Sequence, residues 1–162
     1  MNGGILKSDF QSLLRQSDRI EERRTSEPIN INCCGLDIII EPGVYQTSGD
    51  SELMAESVKL RKSEEFLEIG CGSGIVAIVL AKQGNHGVAV DINDLAVENS
   101  KHNALKQNIT EVKFFKSNVF EKVEGKFDVV ICNPPYTNHE TEDDIERMFW
   151  DPQDEVKQIF FK

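Results

Sequence analysis

The sequence predicts an α/β fold, a parallel sheet packed between layers of helix and preceded by an N-terminal helix and a β-hairpin. Three observations carry this prediction. From residue 65 onward, short β-branched and aromatic runs alternate with segments of helical period, the order expected of a βαβ chain. The runs are apolar almost throughout, as in Phe127-Asp128-Val129-Val130-Ile131, which suits parallel strands buried on both faces. A glycine-rich turn, Gly70-Cys71-Gly72-Ser73-Gly74, joins the first run to the first of these helices.

At the N-terminus, Ile5, Leu6, Phe10, Leu13, Leu14 and Ile20 recur near helical spacing among polar residues, predicting an amphipathic helix over 5–24. Pro28 ends it. Residues 29–31 and 36–40 read as two strands around Asn32-Cys33-Cys34-Gly35, and Glu41-Pro42-Gly43 as a turn. Residues 1–42 therefore form an extension, and 43–162 the main domain. By residue chemistry, 43–51 is a loop with a helix cap at Asp50. Residues 51–61 follow as a helix, with Leu53, Met54, Val58 and Leu60 near one side.

The core alternation then runs strand 65–69, helix 75–82, strand 87–90, helix 95–108 with Asp94 as its cap, strand 112–115 and strand 127–132. An acidic stretch, 140–144, leads into residues 145–162, which read as helical with a break at Pro152; Asp143, Asp144 and Glu146 are expected to form a solvated helix start. A sheet of this kind ordinarily continues with further strands, and none is read after Phe161. The domain is accordingly expected to be C-terminally incomplete.

With 162 residues the chain suits one globular domain. No apolar run approaches a membrane span, and the first residues lack the charged start and apolar stretch of a signal peptide, so a cytoplasmic protein is expected. The net charge of −10, from 28 acidic and 18 basic residues, weighs against tight, unaided binding to bare nucleic acid, where phosphate neutralisation supplies much of the affinity. Arg23-Arg24 and the stretch 59–62 are the only dense basic runs. Cys33, Cys34, Cys71 and Cys132 make no CxxC pair and no Cys/His spacing suited to zinc. His86, His102 and His139 are scattered, and no metal site is expected. Strand alternation would place Cys33 and Cys34 on opposite sides, and neither is assigned a function.

Gly70, Gly72 and Gly74 allow a sharp turn and close approach of a ligand, while the helix start beyond them offers free N–H groups. A dinucleotide fingerprint would place a small residue where Ile75 stands, so NAD or FAD is the weaker reading. Asp91 ends the second core strand, twenty-one residues after Gly70, where a carboxylate can accept from both ribose hydroxyls; the plainer alternative is a strand-end acid. Asn118 follows the third core strand and is equally readable as an amide for an adenine edge or as a turn asparagine.

Asn133-Pro134-Pro135-Tyr136 follows the fourth core strand. Its two prolines stiffen the loop, so the Asn133 side-chain oxygen and the Pro134 carbonyl can both accept from one substrate NH2 group. Tyr136 offers a face for a base or a planar amide. In isolation the tripeptide Asn133-Pro134-Pro135 would be read as a strand-end turn; sharing an edge with the glycine loop makes that account the weaker one.

These residues resemble the class I S-adenosylmethionine (SAM)-dependent methyltransferases, and within them the methyltransferase-small group with the HemK/PrmC-type glutamine methyltransferases. The resemblance covers residues 43–136. It implies a Rossmann-like three-layer sandwich, with Gly70, Cys71, Gly72 and Gly74 as the cofactor loop and Asp91-Ile92 at the ribose. It also implies that Tyr45, Asp50 and Ser51 enclose the methionine end of SAM, and that Glu68 orients the glycine loop and the cofactor amino group. On the same resemblance Asn118 would stand at the adenine, a position where the family commonly has an acid. The resemblance further implies that Asn133 contacts both cofactor and substrate, with Pro134 and Tyr136 completing the catalytic motif.

The function expected is SAM-dependent N-methylation of a planar amino nitrogen, a protein glutamine amide first, with a release-factor-like protein as partner. The alternative acceptor is an RNA or DNA base amine, adenine N6 or guanine N2. From another class, a non-catalytic SAM-binding or scaffold protein is carried alongside.

Overall fold

A computed structural model describes the backbone of residues 7–161 and the side chains from residue 11 onward. The predicted helix positions Ile5 and Leu6, and the side chain of Phe10, lie outside the described residues. Helix α1 spans Lys7–Thr25, and strands β1 (Ile29–Cys33) and β2 (Leu36–Ile40) form the hairpin. Then come α2 (Gly49–Ser57), β3 (Glu65–Ile69), α3 (Ile75–Lys82), β4 (His86–Asp91), α4 (Asp94–Lys106), β5 (Val112–Lys116) and β6 (Val129–Cys132). Two single 3-10 turns, Glu146–Met148 and Pro152–Asp154, precede α5 (Glu155–Phe160). Among the described residues no helix is long and apolar enough to cross a membrane.

The second sheet is parallel, in the order β5-β4-β3-β6. Chain order runs outward from β3 to β5 and then returns to its other side with β6, so the strand order reverses beside β3. In open α/β sheets that reversal leaves a crevice beyond the carboxyl ends of the strands. Ile69 lies opposite Cys132 in the register. Gly70 and Asn133 therefore leave the sheet side by side.

One face of this sheet is covered by α2, α3, α4 and the hairpin, with Phe66, Ile38, Ile40, Ile78, Leu80 and Ala89 wholly buried between them. Helix α3 is apolar nearly all round, as a helix enclosed on every side must be. On the other face, Leu67, Ile69 and Val90 pack beneath Val119, Val123 and Phe127 and beneath Val156 and Phe160 of the α5 region. Here turns and one short helix provide the covering layer.

The hairpin is joined to the core through buried asparagines of α4. Asn103 Oδ1 accepts from the Ile39 N–H at 2.9 Å, and Asn99 Nδ2 and Asn103 Nδ2 both donate to the Ile39 carbonyl at 2.8 Å. Spaced four residues apart, the two amides share one helix face and satisfy the free edge of β2 as another strand would. Arg23 is also buried, donating to the carbonyls of Val44 and Glu41 at 3.1 and 2.7 Å.

Several local expectations are corrected. Helix α4 is capped by Asn93, whose Oδ1 accepts from Leu95 N–H at 3.0 Å, while Asp94 turns outward to Lys116 at 2.9 Å. Asn93 is held for this task by a second bond, from its Nδ2 to the Gly43 carbonyl at 2.8 Å. Helix α2 begins earlier than expected, with Ser48 in the cap position and Asp50 inside the first turn, and Val58 turns extended, so residues 58–61 are not helical. Among the described residues of the stretch 145–162 there are two 3-10 turns and α5 rather than a broken helix. Asp143, Asp144 and Glu146 are not simply solvated: Arg24 pairs with Asp143 at 2.6 Å and Glu146 at 3.4 Å, and Lys116 with Asp144 at 3.0 Å. Finally, Cys33 and Cys34 do not face opposite ways. Cys34 has a φ of 52°, a turn conformation that ends the strand alternation and brings the two sulfurs to 3.8 Å.

Candidate active site

A cleft of about 290 Å³ opens at the carboxyl ends of β3, β4, β5 and β6, and it contains every site residue expected from sequence except Gly74. Gly70, Gly72 and Gly74 adopt φ of 77°, 53° and 81°, a region that side chains with a Cβ rarely enter. A Cβ on Gly70 or Gly72 would meet nothing within 4 Å, whereas one on Gly74 would press on Ser100 at 3.0 Å. The first two thus keep one side of the loop open to the cleft, and the third lets α3 and α4 approach. Cys71 is buried beneath the loop with its sulfur 3.3 Å from Ser100 Oγ, so its polar offering to a ligand is backbone.

Two acids fix this loop. Asp91 accepts from Gly72 N–H at 2.9 Å and from Asn93 N–H at 3.0 Å, one bond to each carboxylate oxygen, which leaves further lone pairs for a ligand. Glu68, at 4% exposure, accepts from Ala77 N–H at 3.1 Å. It therefore caps the start of α3 from β3, a helix whose own cap position, Gly74, has no side chain to do so. Among the described residues its other oxygen, Oε1, has no hydrogen-bond partner.

Burial pushes the Glu68 carboxyl up to about 8, with the nearby charge of Asp91 adding to it and the Ala77 bond opposing. Asp91 is also raised, again by burial first. Because unfolded Glu68 is the stronger acid, the folded chain holds a proton that the unfolded chain releases. Stability therefore falls as pH rises from the ordinary carboxyl value of 4.5 towards about 8. Glu68→Gln, isosteric and always neutral, removes that component of the slope. Urea midpoints of both chains at about pH 5 and about pH 8 check this; equal pH slopes would show that Glu68 does not carry it.

Other walls come from segments remote in sequence. Tyr45 places its hydroxyl 3.2 Å from Ser48 Oγ and its ring edge against Phe149, and Thr47 Oγ1 lies 2.8 Å from Ser73 Oγ, tying the segment before α2 to the glycine loop. Asp50, Ser51 and Ile92 line the same space. Asn118 is there too, but its amide donates to Glu155 at 3.1 Å, and Glu155 also pairs with Arg147 at 2.9 Å. At the end of β6, the Tyr136 hydroxyl donates to Asn133 Oδ1 at 2.7 Å, and the Tyr136 ring is 70% exposed.

Sequence reasoning missed Gln16, Arg19, Arg147, Met148, Phe149 and Trp150, all of which line the cleft. Gln16 of α1 bridges Thr137 Oγ1 at 3.2 Å and Trp150 Nε1 at 3.0 Å, and Arg19 lies over the Phe149 ring. The available signal was Met148-Phe149-Trp150, an apolar cluster set within an otherwise acidic stretch.

A glycine loop open on one side, a carboxylate at the adjacent strand end and a buried acid with a free oxygen suit a nucleoside that also bears positive charge. SAM has both properties. Glu68 and Asp91 would face its cationic and ribose groups, with the glycine loop against its backbone-accessible side.

Comparison with known proteins agrees. The chain is 44% identical over 103 residues to a Methanocaldococcus jannaschii protein provisionally named protein N5-glutamine methyltransferase, covering 63% of this chain and 52% of that one. It is 36% identical over 114 residues to ribosomal RNA small subunit methyltransferase C of Psychromonas ingrahamii, covering 67% and 32%. Among solved structures, the Pyrococcus abyssi tRNA (uracil-54, C5)-methyltransferase in complex with S-adenosyl-L-homocysteine superposes with a TM-score of 0.56 at 27% identity, over 68% of this chain and 29% of that one. The chain thus spans about half the length of the first relative and a third or less of the other two. The methyltransferase small domain profile matches residues 35–157, and the chain belongs to that family of class I SAM-dependent methyltransferases.

Proposed function

We propose that this protein transfers a methyl group from SAM to a planar amino nitrogen, and that the acceptor is the side-chain amide of a protein glutamine. The observation that carries the proposal is the register of β3 against β6, which sends Gly70 and Asn133 out of the sheet side by side. A cofactor held by the glycine loop and a nitrogen held by Asn133 would then be neighbours. SAM, when bound, supplies a methyl group on a sulfonium, an electrophile that needs no further activation.

The protein's own work is positioning. Asn133 Oδ1 and the Pro134 carbonyl accept the two N–H bonds of the substrate, orienting the nitrogen and increasing its electron density. The Tyr136 hydroxyl takes one lone pair of Asn133 Oδ1, which fixes the amide with its oxygen as acceptor and leaves the second lone pair for substrate. The exposed Tyr136 ring provides a surface for the planar group. Holding the reacting atoms in line accounts for most of the acceleration such a site can give.

A protein acceptor is supported by the net charge of −10 and by the first relative's name. It is also supported by the use of Arg23 and Arg24 for internal contacts, which leaves those cations little to offer a phosphate backbone. The second reading, a base amine in RNA, is favoured by the ribosomal RNA relative. Incubation of a cell extract with the protein and methyl-labelled SAM, followed by protease or nuclease digestion, distinguishes them. Label released by protease and retained after nuclease is expected; the reverse would overturn the protein acceptor.

A further inference from the structure

At the hairpin turn Cys33, Cys34 and Glu52 come together, and none of them lines the cleft. Among the described residues they form a group in which three ligand atoms all lie within 4.8 Å of one another. Cys33 ends β1, Cys34 is the first residue of the two-residue hairpin turn, and Glu52 is on the first turns of α2. We propose that these three side chains form a binding site for a thiophilic divalent cation, with zinc as its occupant and water as the fourth ligand.

The geometry points to this in three ways. The two sulfurs stand 3.8 Å apart, and two thiolates on one tetrahedral zinc, each at about 2.3 Å, are separated by about 3.8 Å. Second, Cys34 and Gly35 have φ of 52° and 72°, the pattern of a type I′ turn, whose first position ordinarily favours asparagine, aspartate or glycine. A cysteine in that left-handed conformation is disfavoured by the backbone, yet the conformation is what turns its sulfur towards that of Cys33. Third, Glu52 supplies a hard, anionic oxygen within reach of both sulfurs, and Glu56 lies one helical turn further along α2. Two sulfurs and a carboxylate make a ligand set that zinc accepts.

The balance is simple. Cysteine binds zinc as the thiolate, so two thiols taking up one zinc ion release two protons to solvent. No oxidant or reductant is involved. Glu52 is exposed, which leaves the fourth position open to water. The ion would bridge the hairpin turn to α2, whose Asp50 and Ser51 line the cleft. The site is argued from its own residues and does not depend on what the cleft binds.

The test uses the full chain, reduced with a non-thiol reductant and freed of metal, titrated with zinc against a chromogenic chelator and separately with cobalt. Binding of one zinc per chain is expected, with a thiolate-to-cobalt absorption band of two-sulfur intensity. Cys33→Ser and Cys34→Ser should each weaken zinc binding about 100-fold and reduce the band, Glu52→Gln about tenfold, and Cys132→Ser not at all. If Cys33→Ser fails to fold, Cys34→Ser and Glu52→Gln carry the comparison, since both side chains are at or near the surface. Absence of zinc uptake by the reduced chain, or uptake that survives Cys34→Ser and Glu52→Gln, would overturn the proposal.

Discussion

Asn133→Ala lowers methyl transfer by about 10²- to 10³-fold while changing SAM affinity less than tenfold, the magnitude expected when one positioned polar group is removed from a reacting centre. The side chain is at the end of β6, beside the loop that leaves β3, and its oxygen accepts from Tyr136. On the proposed reading, alanine would leave the substrate nitrogen with the Pro134 carbonyl but remove its second acceptor, freeing it to rotate out of line. The Tyr136 hydroxyl also loses its partner. Because that residue is 70% exposed, water replaces the bond and the fold is unaffected. Rates measured with methyl-labelled SAM, beside calorimetric SAM binding, separate the two effects. A fall of less than tenfold in rate would show that Asn133 does not hold the reacting nitrogen.

Gly87→Ala is expected to destabilise the fold by about 3 kcal/mol or more, at the severe end for a single methyl. An added Cβ would stand 2.2 Å from the Phe66 carbonyl oxygen and 2.8 Å from the Phe66 ring. Phe66 is the residue paired with Gly87 across β3 and β4, and it is fully buried. Neither a backbone carbonyl in a central strand nor an enclosed ring can give way by that much, so the pairing itself must shift. Gly49→Ala, where a Cβ would meet nothing, serves as the control and should be neutral or slightly stabilising, since alanine is the better helix former. Urea unfolding of both variants checks the contrast. A loss below about 1 kcal/mol for Gly87→Ala would show that β3 and β4 are not packed as described.

The parts of the fold that were legible in sequence are those governed by local chemistry. Residues 65–69 and 75–82 were delimited correctly because an apolar run stops at Gly70, and because the left-handed turn at Gly70, Gly72 and Gly74 admits few other residues. Gly70, Gly72, Asp91, Asn118 and Asn133 to Tyr136 were likewise carried by motifs at strand ends, whereas Tyr45, Asp50, Ser51 and Glu68 rested on the family resemblance. What was not legible depends on contacts distant in sequence. Asn93 and Asp94 are both good helix caps, and the choice of Asn93 follows from the Gly43 carbonyl fifty residues away. Asn99 and Asn103 lie in a segment read simply as helix, and the edge of β2 together with the Ser73 carbonyl explains why they are buried. Residues 145–162 read as helical with a break at Pro152, but Gln16, Arg24 and Asn118 hold Trp150, Glu146 and Glu155 respectively, so the described residues of this segment follow the cleft wall instead.

Asp91 connects the loop and the ligand in this account, and titration of SAM into the purified chain by calorimetry, with Asp91→Ala alongside, tests it most directly. Saturable binding of one SAM per chain is expected, weakened about tenfold or more by the substitution, because the carboxylate holds Gly72 and, on the proposed reading, would accept from the ribose. A folded chain that takes up no SAM, or one whose affinity is unchanged by Asp91→Ala, would contradict the assignment of this cleft to the cofactor.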